Sequence, residues 1–480
     1  MSINPKRDNV AAEPALSKTE QRAIRLIPYI VGCALFMQML DATVVATALP
    51  TMAADLNTSV IRMNAIITSY LLAVAVFVPI SGWAADRFGA RRIFLLAIIT
   101  FSLSSVACAA SQTLEQLIAA RVVQGLAGAM MVPVGRIILL RRVPKTALLR
   151  AMSVLTLPAL FGPILGPPVG GFLVTYASWH WIFLMNIPVG ILGVVLVLKY
   201  IRHDFPTHSQ PLDWIGFLLS SIALSTLVIS FESIGHPSMP LNVLATLFTI
   251  GMLSGLSYIW YARRAANPII DLSLLKTRSF AISVLGGNLC RLSLGAVPFM
   301  LAILLQVGFG MSAFAAGLVT FTTAIGALLM KPMAPSIIRR FGYRNVLTYN
   351  AIFTGLFIIF CAWFDINTPL WWMSLILGLG GIFRSLQFTA VNTLSYADMD
   401  AAAMSRASTF ASMAQQLGIS IGVACAAVTL NLSMHWRGGD VVTTTDLFWG
   451  FMVIGLLTTL SSISFARLSP DAGSALQAPK

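Results

Sequence analysis

The sequence predicts an all-α polytopic membrane protein: two six-helix bundles, two further transmembrane helices between them, and both termini in the cytoplasm. Three observations predict it. The 480-residue chain is 57% apolar and 10% charged, with a mean hydropathy of +0.84, whereas a soluble chain carries about 25% charged residues. The apolar residues run continuously over helical lengths rather than in the short alternating strands of a barrel. One short basic loop recurs eight apolar runs later.

Taking about 20 residues per span, fourteen spans fall near 26–48, 61–83, 93–111, 115–140, 147–174, 181–201, 213–233, 240–262, 280–306, 312–336, 346–364, 369–393, 405–432 and 447–467. A twelve-span count is the alternative. The first 20 residues are polar and do not read as a cleavable signal, so residues 1–25 are expected as a cytoplasmic tail, and 468–480 as another.

The net charge of +14 invites a nucleic-acid reading, and position argues against it. Most Lys and Arg fall in alternate loops or the tails, and outside the spans only Arg62 and Arg437 fall on the opposite side. That asymmetry is the positive-inside pattern. The five cysteines, Cys33, Cys108, Cys290, Cys361 and Cys425, stand singly in apolar runs without metal spacing, and read as packing residues.

The repeated loop is "DRFGARRIFLL", from Asp86, and "RRFGYRNVLTY", from Arg339. Both copies carry Arg-Phe-Gly-x-Arg between an even and an odd span. A six-span half repeated twice, with two spans inserted, gives that offset. The halves are then 26–201 and 280–467, with the inserted pair at 213–262. Repeated halves enclosing a midplane site are a transporter architecture.

Asp41 is the one carboxylate well inside a span. An ionisable group at that depth costs about 2.5–3.5 kcal/mol or more and marks a functional site by default. The loop "GWAADRFGARR" carries more than topology requires. Gly82 permits a close backbone approach; Asp86 can accept from a helix N-terminus or an arginine; Arg87, Arg91 and Arg92 face the anionic leaflet. With Gly89 they form a candidate gating latch. "GPILGPPVGG" packs Gly162, Pro163, Gly166, Pro167, Gly170 and Gly171 into one stretch, which bends a helix or admits a close neighbour.

These segments resemble a known family. The loop at Gly82–Arg92 is similar to the signature G-x-x-x-D-R-x-G-R-R of the major facilitator superfamily. "LDATVVATALP" (Leu40–Pro50), "RVVQGLAGAMMVP" (Arg121–Pro133), "LPALFGPILGPPVGG" (Leu157–Gly171) and "WHWIFLMNIPVG" (Trp179–Gly190) resemble the first-, fourth-, fifth- and sixth-span motifs of its fourteen-span drug:proton antiporters, the EmrB/QacA group. The resemblance covers nearly the whole chain. It implies the major facilitator fold, proton-coupled export by alternating access, and a seal between the halves at the Gly/Pro segment. In one departure, Ala46 stands where the family usually has Asn, so any role of that amide is missing or relocated.

The residues themselves agree. Asp41 and Arg121 sit at similar depth in spans one and four, which permits an ion pair. Pairing favours the carboxylate and burial the neutral acid, the conflict that proton coupling uses; a static packing pair is the bland alternative. Gln124, one turn from Arg121, can join them.

Four more cations fall within spans. Arg136 and Lys331, near the cytoplasmic end, are expected to snorkel. Arg291 and Arg384 lie deeper and are either structural or cavity-lining. In the second case the cavity is net positive and favours neutral, zwitterionic or anionic cargo. Gln387, Asn392 and Gln415 are further candidates for its lining. His180, between Trp179 and Trp181, reads as an interfacial anchor.

Three functions compete: a proton-coupled exporter of drugs or toxic amphipaths; a proton-coupled exporter of an anionic metabolite or metal chelate, of citrate or siderophore type; and a membrane enzyme or sensor. The last lacks paired carboxylates, a His/Cys cluster, a phosphate loop or a soluble domain. The expected setting is the inner membrane of a bacterium. The expected partners are the lipid bilayer, a small-molecule substrate and protons, with no nucleic acid, no metal and no cofactor, the proton being the coupling ion. The chain is expected as a monomer.

Overall fold

The structure is a computed structural model that describes residues 18–58, 60–63, 65–202, 211–233, 239–400, 403–439 and 442–476. The described residues contain no strand. Thirteen long helices follow in order: α1 Lys18–Asp55, α2 Ala65–Phe88, α3 Ala90–Ala109, α4 Leu114–Arg142, α5 Lys145–Tyr176, α6 Trp181–Tyr200, α7 Trp214–Ser233, α8 Leu241–Ala262, α9 Arg278–Gly308, α10 Ala313–Phe360, α11 Leu370–Leu394, α12 Met404–Arg437 and α13 Thr444–Ala466.

Among the described residues, twelve stretches are long and apolar enough to cross a bilayer. They do not include α5, and they take the two limbs of α10 as one. That stretch, Ala315–Trp363, has 49 residues and would measure about 73 Å as a straight helix, more than twice a hydrocarbon core. It breaks at Gly342 (φ 75°, ψ 157°). The other copy of the Arg-Phe-Gly repeat breaks the same way, at Gly89 (φ 90°, ψ 129°) between α2 and α3. Positive φ is cheap only for glycine, so the repeat is a repeated corner.

Local signals set the ends. Thr113 caps α4 by accepting from the Gln116 amide, with Glu115 in the first turn and Arg141 and Arg142 in the last, as the helix dipole favours. A capping box of Thr443 and Asp446 opens α13. Gly438, left-handed at φ 67°, ends α12.

Helices α1–α6 form one half and α9–α13 the other. Across the seam α12 packs on α2 and α4, and α5 packs on α10 and α11. Helix α7 lies against α2 and α12, one helix from each half, and α8 packs on α7 with most of its surface exposed.

One apolar core joins the halves at the terminal face, the one that holds the ends of the described chain, Lys18 and Leu476; it runs from Ile27 and Phe94 to Phe280, Tyr343 and Leu476. At the opposite face each half keeps a separate core, one around Val44 and Phe183, the other around Met300 and Phe451. The halves are therefore packed together at the terminal face and separate at the other.

Helix α1 begins at Lys18, ahead of the apolar stretch that starts at Arg25. After residue 467 the chain packs on the bundle through Leu476: Leu468, Ala472 and Leu476 are buried, and Gly473 sits against Tyr343.

Candidate functional site

Asp41 lies inside the first half, 1% exposed. Its carboxylate gathers three donors from two helices. Arg121 Nη1 of α4 donates to Oδ2 at 2.5 Å. Gln124 Nε2, one turn along α4, donates to Oδ1 at 3.2 Å, and Asn186 Nδ2 of α6 donates to the same oxygen at 3.1 Å. Both amides also reach Ser105 Oγ of α3, at 2.8 and 3.3 Å.

Arg121 is equally enclosed, at 1% exposure. Besides Asp41 it donates to Gln124 Oε1 at 2.5 Å and to the Ile66 carbonyl at 3.2 Å, and its guanidinium lies 4.4 Å over the Tyr70 ring. Five helices thus converge on one ion pair. Each hydrogen bond given to Asp41 comes from a side-chain N–H donor, the arrangement a carboxylate accepts.

The sequence reading put Asp41, Arg121 and Gln124 together, and the structure brings them into contact. It did not single out Asn186, Ser105 or Tyr70. The signal for Asn186 was an amide in an otherwise apolar sixth span. Ala46 is exposed on α1, so the amides beside Asp41 come from Gln124 of α4 and Asn186 of α6.

The candidate latch lies on the terminal face. Asp86 is ion-paired with Arg141 of α4 and accepts from Ser405 Oγ of α12 at 2.6 Å. It therefore ties the first half to the first turn of α12 in the second. Ser81 shares a hydrogen bond with Thr409 at 3.3 Å. A Cβ at Gly82 would lie 2.5 Å from Thr409 Oγ1 and 3.0 Å from the Ser405 carbonyl. Arg91 Nη2 donates to the Leu198 carbonyl at 2.9 Å, while Arg87 and Arg92 are exposed. In the second copy Arg339 occupies the place of Asp86, so the acid of the latch belongs to one copy alone.

The glycines of the Gly/Pro segment have a close neighbour within their own half. Gly162, Gly166 and Gly170 face α1. A Cβ at Gly162 would lie 2.6 Å from Met39 Cβ, and one at Gly166 2.6 Å from Thr43 Cβ; Gly170 sits against Val44 and Thr47. Both helices step four residues per contact, so α1 lies in a glycine groove of α5, and Thr43 Oγ1 donates to the Gly162 carbonyl at 3.2 Å. Gly171 meets nothing within 4 Å. The side chains of Pro163 and Pro167 lie outside the described residues.

The intramembrane cations also depart from expectation. Arg136 and Lys331 do not snorkel; they are 5% and 2% exposed. The reason is packing: 78% of the α4 span is buried, so Arg136 meets protein where lipid was expected. It reaches across the seam to Ser412 Oγ at 3.4 Å and Gln415 Oε1 at 3.3 Å. Lys331 Nζ donates to Thr389 Oγ1 at 3.0 Å. Arg291, 3% exposed, donates to Asn288 Oδ1 at 3.1 Å, Asn392 Oδ1 at 3.2 Å and the Ser283 carbonyl at 3.4 Å.

A crevice in the second half is lined by Arg291, Arg384, Gln387 and Phe388. Arg384 is half-buried there. Gln387 is committed to the bundle interior: it accepts from Asn350 Nδ2 at 2.9 Å and donates to the Leu347 carbonyl at 3.3 Å. Among the described residues no cluster of His, Cys, Asp and Glu could hold a metal ion. His180 stacks on Trp179 at 3.8 Å and shares a hydrogen bond with Ser178 at 2.6 Å.

Comparison with known proteins fits this geometry. The family profile described as Major Facilitator Superfamily matches residues 31–423 and 283–479. The chain is 38% identical over 455 residues to a protein of Pectobacterium atrosepticum named as multidrug resistance protein MdtD, covering 94% of this chain and 97% of that one. It is 39% identical over 459 residues to a Haemophilus influenzae protein named as transport protein HsrA, covering 96% and 99%. Among solved structures, the proton:xylose symporter XylE superposes with a TM-score of 0.65 at 14% identity, covering 96% of this chain and all of that one. The human organic anion transporter MFSD10 gives 0.65 at 15%, covering 92% and 99%. Those two likenesses speak to the fold alone. With the family profile and relatives spanning nearly its whole length, this multi-pass membrane protein is a transporter and not an enzyme, and it belongs to the major facilitator superfamily, with the MdtD- and HsrA-type proteins among its relatives.

Proposed function

We propose that the chain is a proton-coupled antiporter that exports drugs or toxic amphipathic small molecules by alternating access. The observation that carries this reading is the Asp41 site: a buried carboxylate whose every partner is a donor. A proton and Arg121 compete for the same oxygens. Protonating Asp41 removes the charge that holds Arg121, and Arg121, which cannot lose its own proton, must shift its bonding toward Gln124 and the Ile66 carbonyl. Because α1 also lies in the glycine groove of α5, that shift bears on a helix packed along the path the halves must move. The driving force is adequate, at about 2.3 kcal/mol per proton per 100 mV and about 1.4 kcal/mol per pH unit.

The setting of this reading is fourteen spans, with α5 and both limbs of α10 each crossing, and both termini in the cytoplasm of a bacterial inner membrane. Asp86, Gly82 and Arg141 then latch the cytoplasmic face, and the structure is the outward-facing end of the cycle. The coupling ion is the proton, no cofactor is needed, and the carrier works as a monomer in the bilayer.

A second reading, export of an anionic metabolite or metal chelate, is favoured by one observation. Arg136 and Arg291 are buried near the seam with neutral partners only, which suits a negative cargo better than a dication.

Everted membrane vesicles test the antiport reading. Adding a transported compound to energised vesicles should partly collapse a preformed pH gradient, and only when the chain is present. A gradient unaffected by every compound that the vesicles accumulate would contradict proton antiport.

A further inference from the structure

Arg136 of α4 and Arg291 of α9 come from opposite halves and meet the same stretch of α12. Arg136 bonds Ser412 and Gln415. Arg291 lies one turn further along, where a Cβ at Gly418 would sit 3.1 Å from Arg291 Cβ. Gln415 and Gly418 are one turn apart, so the two arginines meet the same face of α12. Burying even one cation without a counter-charge is costly, and a pair of like sign costs more.

Nothing among the described residues offsets that cost. The buried carboxylates are Asp41, taken by Arg121, and Asp446, which is bonded to Arg437, Ser433 and Thr443. The bonds that Arg136 makes, 3.3 and 3.4 Å to neutral oxygens, lie at the long end of the range. Arg291 Nε is buried with no hydrogen-bond partner at all. Its bond to the Ser283 carbonyl depends on a π-helical turn at Ile282–Gly286, a distortion frequent at functional sites. A crevice in the second half, lined by Arg291 and Arg384, reaches the Arg291 end of the cluster.

We infer that this cluster is an anion subsite at the seam, in which Arg136 and Arg291 hold one carboxylate or phosphate-type oxyanion between the two halves. The inference deepens the anionic-cargo reading above and rests on it. Guanidinium forks suit planar oxyanions. Since one arginine belongs to each half, the subsite is complete only while the terminal face is closed. An anion there stabilises the closed face by cancelling the repulsion across the seam, and its departure leaves two like charges to drive the halves apart.

The test uses the full chain purified in detergent, with binding followed by calorimetry. The probes are citrate, inorganic phosphate and tetraphenylphosphonium, and the variants are Arg136→Gln, Arg291→Gln and Arg291→Lys. Wild type should bind citrate. Each glutamine variant should weaken citrate at least tenfold, Arg291→Lys should fall between, and none should weaken tetraphenylphosphonium. Citrate bound equally by wild type and variants, or not bound by wild type, overturns the subsite. Should a glutamine variant fail to fold, Arg291→Lys decides alone, and unchanged citrate affinity overturns the inference. Phosphate binding as tightly as citrate, with no citrate transport in vesicles, assigns the site to a free anion and overturns its role in cargo. Asp41→Asn should keep citrate binding, so failure of the antiport reading shows in transport and failure of this one in binding.

Discussion

Arg121 Nη1 stands 2.5 Å from Asp41 Oδ2 and 2.5 Å from Gln124 Oε1. One guanidinium nitrogen is thus shared between a group that can take a proton and a group that cannot. When Asp41 is neutralised, Arg121 keeps Gln124, the Ile66 carbonyl and the Tyr70 face. In the proposed coupling mechanism the site is then a switch between two bonding patterns of one arginine rather than an ion pair that is simply made or broken.

The first prediction concerns stability. Asp41→Asn removes the charge that offsets a fully buried arginine, and breaking a buried pair from one side costs about 3–5 kcal/mol. Asp41→Asn should lower the melting temperature of the purified protein, and Asp41→Asn with Arg121→Gln should recover much of the loss. A double variant that melts lower than the single one would show that the pair is not coupled.

Asn186 supplies one of the two amides on Asp41 Oδ1. Asn186→Leu should cost about 1–3 kcal/mol and impair gradient-driven export, while Ala46→Asn, at an exposed position, should leave both unchanged. Equal behaviour of the two variants in melting and transport assays would refute the assignment of the amide to α6.

How much of this was legible in the sequence depends on the range of the interaction. The helices and the Arg-Phe-Gly corners were readable because hydropathy and a glycine's positive φ act locally. Asp41 with Arg121 was readable because both carry charge at one depth of a membrane, where few charges survive. Asn186 was not, because a lone amide in an apolar helix gives no sign of which way it faces. Arg136 and Lys331 were misjudged for a related reason. A cation near a helix end snorkels if it faces lipid and is buried if it faces protein, and rotation about the helix axis is set by tertiary packing. The glycines of α5 announced a close approach but not its partner, which is α1.

The latch makes a third prediction. Gly82→Val forces a side chain onto Thr409 and the Ser405 carbonyl, and should hold the terminal face open. Spin labels on the α2–α3 and α11–α12 loops should report a longer distance than in wild type, and export should be lost with the protein still inserted. An unchanged distance distribution would mean that α12 can shift to make room.

A fourth prediction addresses the glycine groove. Gly166→Leu puts a branched side chain against Thr43, and overpacking of this kind costs about 1–3 kcal/mol. The variant should melt lower than wild type, and Gly171→Leu, where nothing lies within 4 Å, should not. Equal melting of the two would remove the α1–α5 groove from the account.

The most direct test of the central claim is transport by Asp41→Asn in proteoliposomes, with downhill exchange and pH-gradient-driven accumulation of one compound measured side by side. The account predicts that downhill exchange survives while uphill accumulation is abolished, because the halves still move but the proton has no place to bind. Uphill accumulation at the wild-type rate, with the same pH dependence, would contradict the role of Asp41 in coupling.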